Sequence, residues 1–391
     1  MIGQIASMAS NNKITTAIKP LTLVGLISGT SMDGIDAIIE TISFENNIPN
    51  FTFHVAETFP YKDKKLISDL RNIEPGKDLT GTEYDKRIAK AFSEAALAII
   101  KKADVSSKDI DYISSHGQTV WFIPRKNNDK TKACIIGDGN LIAKETKIKT
   151  IYDFRAADME AGGLAAPLAP ILHYYKFPPG SIVLNIGGIA NLTALDSRPD
   201  INKLIAFDTG PGNFMIDELV RLYSKDKDAC DNNGKWSARG KPSEKIVNEL
   251  LTNEYFTKSF PKATDRKLFN PVMLQKLLRL TNRERLNEYD TVATAALLTA
   301  KSIAFAVNHF LIGKLSLNKL IVVGGGRLNP TLMKLLVSAL PSLDVMPSER
   351  LGINGDYIEA ELMAFLAFLT VNGYPGNIPH VTGASYPVVL G

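Results

Sequence analysis

Cysteine is nearly missing: Cys134 and Cys230 are the two in 391 residues. Two thiols cannot build a disulfide framework or a cysteine-rich metal centre, and such scarcity fits a reducing cytoplasm. The five histidines are scattered, with no metal-ligand spacing. An excess of one charge is lacking too. Lys and Arg number 45 against 41 Asp and Glu, a net +4 without a basic block, which argues against nucleic acid as the main partner. No Gly-x-x-x-x-Gly-Lys-Ser/Thr segment occurs, which argues against a P-loop enzyme. Ser28, Ser31 and Ser115 lack the Gly-x-Ser-x-Gly setting of a hydrolase elbow. The first 20 residues have no apolar h-region and read as a disordered leader, not a signal peptide. One long apolar run, Thr291 to Gly313, is broken by Lys301, Asn308, His309 and several threonines, so it reads as a buried helix and no membrane partner is expected.

What remains is an ordinary globular composition, 45% hydrophobic and 22% charged, in a chain long enough for two domains. Apolar periodicity predicts a helix over Thr82–Lys102. "IDYISSHGQTVWF" reads as a strand, Ile110 to Ile113, ending in a small-residue loop around His116, and "TIYDF" as a short strand. Two stretches share one design. "LVGLISGTSMDGIDAIIE" is a strand, Leu21 to Ile27, a turn holding Asp33 and Asp36, and a second apolar run from Ala37. "SIVLNIGGIANLTALD" is again strand, glycine turn, strand. Later, "KLIVVGGGRLNPTLMKLLVSAL" gives a strand, a triple glycine and a helix starting near Pro330. Strands alternating with helices indicate α/β domains, and a hairpin at the head of each half suggests two related ones.

Glycine turns at strand ends expose backbone N–H groups to an anion without Cβ obstruction. Gly29-Thr30-Ser31 adds two hydroxyls; Asp33 and Asp36 reach a phosphate only through Mg²⁺ or its waters. For this turn alone, a tight hairpin whose side chains satisfy its own backbone is the simpler account. Gly187 and Gly188, with Asn185 and Asn191, repeat the offer in the second half. In "AFDTGPGNFMIDELV" a strand, Leu204 to Phe207, ends at Asp208, followed by the turn Gly210–Asn213 and a helix, Phe214 to Tyr223. Asp208 is a candidate general base; an Asx-turn or helix N-cap role weighs equally on the local pattern. Gly324-Gly325-Gly326 lets a flat ligand approach the backbone but lacks the Rossmann spacing. His116 is a candidate substrate contact, with a buried structural role the commoner outcome for a lone histidine.

Together these stretches resemble the anhydro-N-acetylmuramic acid kinases of the sugar kinase, Hsc70 and actin superfamily. The resemblance rests on "GLISGTSMDGIDA", "SSHGQTV", "DFRAADMEAGGLAAPLAP", "LNIGGIANLT", "FDTGPGN", "VVGGGRLNPTLM", "IEAELMAF" and "PGNIPHVTGA", in family order from Leu21 to Ala384. It implies two actin-like (ribonuclease H-like) α/β domains, with mixed sheets flanked by helices and an interdomain ATP cleft. The expected division is 1–20 leader, 21–155 plus 367–391 as the N-terminal domain, and 156–366 as the C-terminal domain. It implies a kinase that uses ATP, Mg²⁺ and water to open 1,6-anhydro-N-acetylmuramic acid and phosphorylate the freed 6-oxygen in cell-wall recycling. Asp208 matches the catalytic carboxylate. Gly29, Thr30, Ser31, Met32, Asp33, Gly34, Ile35 and Asp36, with Gly187, Gly188, Asn191, Gly324, Gly325, Gly326 and Asn329, form the expected ATP-binding set. Asp33 is the expected water-mediated metal contact, and His116 and Glu361 are the expected substrate contacts. Two departures stand out: Arg155-Ala156-Ala157 where relatives carry an arginine run, and "FPKATDRKLFN" where they carry Lys-Ser-Thr-Gly-Arg. A homodimer is compatible with the sequence. The competing functions are another sugar or acetate kinase of the superfamily, and a non-catalytic nucleotide-binding switch.

Overall fold

A computed structural model describes residues 18–29, 32–45, 48–123, 129–264 and 268–391. Thr30 and Ser31, most of the expected leader and residues 265–267 of the "FPKATDRKLFN" stretch lie outside the described residues. The chain divides into two compact units, Met1–Tyr175 with Tyr357–Gly391, and Lys176–Asp356.

In chain order the first unit contains β1 (Leu21–Ser28), β2 (Gly34–Glu45), β3 (Ile48–Pro60), α1 (Lys64–Arg71), α2 (Glu83–Lys102), β4 (Tyr112–Ile123), β5 (Lys132–Ile136), α3 (Gly139–Thr146) and β6 (Thr150–Tyr152). The second contains β7 (Ser181–Ile186), β8 (Ile189–Leu195), β9 (Ile205–Pro211), α4 (Phe214–Ser224), α5 (Glu288–Phe310), β10 (Lys319–Val323), α6 (Pro330–Ala339) and β11 (Asp344–Pro347). The chain then returns to the first unit with α7 (Ile358–Val371).

The first sheet runs β3-β2-β1-β4-β5, with β6 also paired to β4. β1–β2 and β2–β3 are antiparallel, and β4 lies parallel to both β1 and β6. The second sheet runs β11-β10-β7-β8-β9. Its β7–β8 and β8–β9 pairs are antiparallel, while β10 is parallel to β7 and β11. An antiparallel meander of three strands extended by parallel strands thus occurs in each unit, the actin-like, ribonuclease H-like pattern.

α2 forms where the periodicity predicts it. Ile88, Phe92, Ala96 and Ile99 are fully buried against the sheet, with Glu83 and Asp85 in the first turn and Lys101 and Lys102 in the last, each complementing the helix dipole. α5 is the buried helix expected from the apolar run. By length and composition it could cross a membrane, but Val292, Ala296, Ile303 and Val307 have no exposed surface and sit in the cores of the second unit.

Three expectations are corrected. β4 does not stop at Ile113 but passes through His116; Gly117, at φ +73°, absorbs a break in register, and a Cβ there would fall 2.5 Å from the Ile136 carbonyl oxygen. The first turn is shorter than expected. Antiparallel pairing with β3 extends to Gly34, so Ile35 and Asp36 are strand residues and Asp33 alone of the two aspartates lies in the turn. The second domain boundary also shifts. Residues 156–175 and 357–366 belong to the first unit, because α7 packs on the first sheet so closely that a Cβ at Gly25 would meet the Ala360 carbonyl oxygen at 2.2 Å.

Candidate active site

In the second unit, the expected residues converge at one end of the sheet. β9 pairs with β8 up to Pro211, so Asp208 is not the last residue of its strand but the fourth of seven. Its register partner is Asn191, and the partner of Asn191 on β7 is Asn185. Residues directly opposite on neighbouring strands present their side chains to the same face, so Asn185, Asn191 and Asp208 form a polar row.

The Asp208 carboxylate does not cap a helix. α4 begins six residues later, behind Asn213. Instead Asp208 Oδ2 accepts the Thr264 backbone N–H at 2.8 Å, and its backbone carbonyl accepts the Tyr255 hydroxyl at 2.8 Å. Burial raises its pKa to about 7, against the opposing pull of the Thr264 N–H and of Lys262. Lys262 is itself buried. Its Nζ donates to the carbonyls of Tyr255 and Phe256 at 3.3 and 3.2 Å, and lies about 5 Å from the ring centres of Phe207, Tyr255 and Phe310. Burial lowers its pKa to about 8. A carboxylate that ionises near neutrality is suited to taking a proton.

The glycines of this region differ in what demands them. A Cβ at Gly187 would find nothing nearer than the Ile189 carbonyl oxygen at 3.7 Å, and one at Gly325 nothing nearer than Asn213 Nδ2 at 3.7 Å. Protein packing does not require glycine at either position. Gly324 is different: its φ is +75° and a Cβ would fall 2.2 Å from Asn185 Oδ1. Gly326 packs on Ile186, where a Cβ would lie 2.4 Å from Cγ2. Gly212 lies against the Gly187 carbonyl oxygen at 2.3 Å by the same measure. Asn329 is committed to structure: Oδ1 accepts the N–H groups of Thr331 and Leu332 to cap α6, and Nδ2 donates to Asp231 at 3.0 Å.

In the first unit, the Gly29 carbonyl closes the turn by accepting the Met32 N–H at 3.0 Å and also accepts Gln118 Nε2 at 3.2 Å. Gln118 is fully buried, and its Oε1 accepts the Tyr61 hydroxyl at 3.0 Å. Met32 takes a left-handed φ of +55° and is buried; Ile35 belongs to the core. Gly34 lies against β3, where a Cβ would fall 2.8 Å from Thr58 Cγ2. Asp36 accepts the Thr58 hydroxyl at 2.6 Å. Asp33 is exposed and pairs with Arg71 at 3.5 Å. Among the described residues no group of three or more His, Cys, Asp or Glu side chains is arranged to hold a metal.

His116 Nε2 accepts the Arg155 Nε–H at 2.9 Å, which assigns the proton to Nδ1, facing the Gly117 carbonyl at 3.2 Å. Burial, and then the Arg155 charge, lower its pKa to about 3, so the ring is neutral near pH 7. It borders a cavity of about 470 Å³ whose walls, among the described residues, include Asp138, Asn140, Tyr152 and Asp153 and no lysine or arginine. Glu361 is buried in the first turn of α7, also in the first unit.

A family model described as anhydro-N-acetylmuramic acid kinase matches residues 21–391. The chain belongs to the anhydro-N-acetylmuramic acid kinase family. An anhydro-N-acetylmuramic acid kinase of Caldanaerobacter subterraneus subsp. tengcongensis is 39% identical over 378 residues, covering 94% of this chain and 96% of the relative. One from Microcystis aeruginosa is 37% identical over 381 residues, 95% and 99% of the two chains. Among solved structures, the activator of 2-hydroxyisocaproyl-CoA dehydratase from Clostridium difficile with bound ADPNP superposes with a TM-score of 0.46 at 13% identity, over 89% of this chain and 94% of that one.

Within this family member, sequence reasoning overlooked Lys262, Thr264, Tyr255, Gln118 and Asn213. Lys262 and Thr264 lie in the "FPKATDRKLFN" stretch, which the sequence reading had singled out as a whole without naming either residue. Gln118 and Asn213 were visible inside family motifs, but their targets are backbone carbonyls of distant turns, which no local pattern names.

Proposed function

We propose that the protein is an ATP-dependent kinase that opens 1,6-anhydro-N-acetylmuramic acid with water and phosphorylates the freed 6-oxygen. The products are N-acetylmuramic acid 6-phosphate and ADP, feeding peptidoglycan recycling in the cytoplasm. The observation that carries this reading is Asp208, a carboxylate ionising near neutrality in a sheet that also bears the open turn at Gly187.

Asp208 takes a proton from water as its oxygen bonds to the anomeric carbon. The bond from that carbon to the bridging oxygen breaks. The released 6-oxygen bonds to the γ-phosphorus, the bond to the β-phosphate oxygen breaks, and ADP leaves. The proton on Asp208 then passes to solvent. The Thr264 N–H orients the carboxylate, and Lys262 favours its ionised form. The Gly187–Gly188 turn offers backbone N–H groups to phosphate oxygens, with the triple glycine at the adenosine end. Mg²⁺ would be held by ATP phosphates and water, with Asp33 as a water-mediated contact, and would neutralise charge on the transferring group. His116 and Glu361 are the proposed substrate contacts, His116 as a neutral ring.

The test is product mass spectrometry after reaction in ¹⁸O-water. The proposed chemistry places solvent oxygen on the anomeric carbon and none in the phosphoryl group. A phosphorylated product with no solvent oxygen would indicate an ordinary sugar kinase. ATP binding with no transfer to any sugar would indicate a nucleotide-binding switch.

A further inference from the structure

Lys262 is a buried cation without an anion. It is 3% exposed, and among the described residues no carboxylate forms an ion pair with it. A buried ammonium normally needs one. Its hydrogen bonds go instead to the Tyr255 and Phe256 carbonyls, in the short helix Glu254–Thr257. A helix C-terminus leaves such carbonyls unsatisfied, so the ammonium caps that end. Nζ is enclosed by the rings of Phe207, Tyr255 and Phe310 and is not presented to a phosphate.

Three further bonds close the assembly on Asp208. The Lys262 carbonyl accepts the Asp208 N–H at 3.2 Å, the Tyr255 hydroxyl donates to the Asp208 carbonyl at 2.8 Å, and the Thr264 N–H donates to Oδ2 at 2.8 Å. Phe256 packs on β9 as well: a Cβ at Gly210 would fall 2.9 Å from its Cε1. Residues 255–264 therefore form a strap over β9 that the Lys262 side chain ties back on itself. Among the described residues, Lys262 and Tyr255 are the titratable groups facing Asp208. Burial, and then the Asp208 charge, keep Tyr255 protonated, and Lys258 acts on Lys262. Of the two groups that favour the ionised carboxylate, the Thr264 N–H outweighs the Lys262 charge.

We propose that Lys262 is a positioning residue: its ammonium pins the strap to the helix end, and the pinned strap sets the Thr264 N–H on the Asp208 carboxylate. Its influence on the base travels through that N–H rather than through its own charge. This rests on the base role proposed for Asp208.

Lys262→Met keeps an apolar stem among the rings and removes the ammonium. Losing a hydrogen bond to a charged group should move the acid limb of kcat/KM up by about one pH unit, a loss of about fivefold at pH 7. At pH 9 the variant returns to within about twofold of the wild type, which a merely structural defect would not do. The Thr264 amide exchanges about tenfold faster with deuterium. Thr264→Pro, which lacks the N–H, moves the limb of the wild type but moves that of Lys262→Met no further. Lys262→Gln, which keeps a polar end and drops the charge, serves where the methionine variant fails to fold and gives the same signs. An unmoved limb in the variant that folds would overturn the proposal. So would a moved limb with unchanged Thr264 exchange and shifts that add, since the charge alone would then be at work. Faster Thr264 exchange in a protein whose wild type shows no acid limb would keep the strap and remove the base reading beneath it.

Discussion

Both units build the same sheet, yet they fix their first hairpin turns by different means. In the first unit, a buried amide from another strand, Gln118 on β4, holds the Gly29 carbonyl. In the second, three successive backbone N–H groups, Gly212 to Phe214, hold the Gly187 and Gly188 carbonyls, so the turn is clamped to the start of α4. A helix N-terminus adds positive potential to whatever the turn binds. The titratable groups differ in the same sense. The second unit has a carboxylate held near pH 7, whereas the first has a histidine held neutral by burial and Arg155. One topology thus holds a carboxylate that titrates near neutrality in one copy and a histidine that stays neutral across the working range in the other.

The largest effect that tests this contrast is at Asp208. Asp208→Asn keeps the shape but removes the basicity. Turnover should fall by about 10²–10⁴-fold, the usual worth of general base catalysis, with sugar and nucleotide binding largely retained. Near-normal turnover would make Asp208 a structural residue.

Next come the glycines. Gly324→Ala forces a Cβ toward Asn185 at a φ of +75°, so it should destabilise the second unit by about 1–3 kcal/mol in urea unfolding. Gly187→Ala meets open space, so stability should hold while ATP affinity drops. Losses of stability at both positions would mean that Gly187 serves packing after all.

The pH dependence follows from Asp208. Its folded pKa, about 7, lies above the ordinary carboxylate value, so ionising it costs stability. That stability is present at acid pH and is lost as pH rises through 7, while activity moves the other way. The profile of kcat/KM should show an acid limb near pH 7. Asp217 on α4 is also raised to about 7 by burial, and Asp217→Asn should leave the limb in place. Loss of the limb in that variant would reassign it.

The smallest effect is expected at His116. With a pKa near 3 it does not titrate in the working range, so His116→Gln should leave the shape of the pH profile unchanged even if KM for the sugar moves. A shifted limb would show that the histidine is not quenched.

The sequence by itself determined the α/β class, the paired hairpins, the helices at Thr82–Lys102 and near Pro330, and the candidacy of Asp208. These follow from local periodicity, glycine placement and motif order, which the chain carries within short windows. Three decisions belonged to the tertiary structure. Strand pairing, not turn composition, drew Asp36 into β2 and His116 into β4, because neighbouring strands extend a ladder past residues that look loop-like alone. Desolvation by surrounding side chains, not residue type, left His116 neutral and raised Asp208 to near neutrality. Packing separated the glycines required by their neighbours, Gly324 and Gly326, from those left open, Gly187 and Gly325; in sequence all four look alike, because what distinguishes them is the space beyond the missing Cβ.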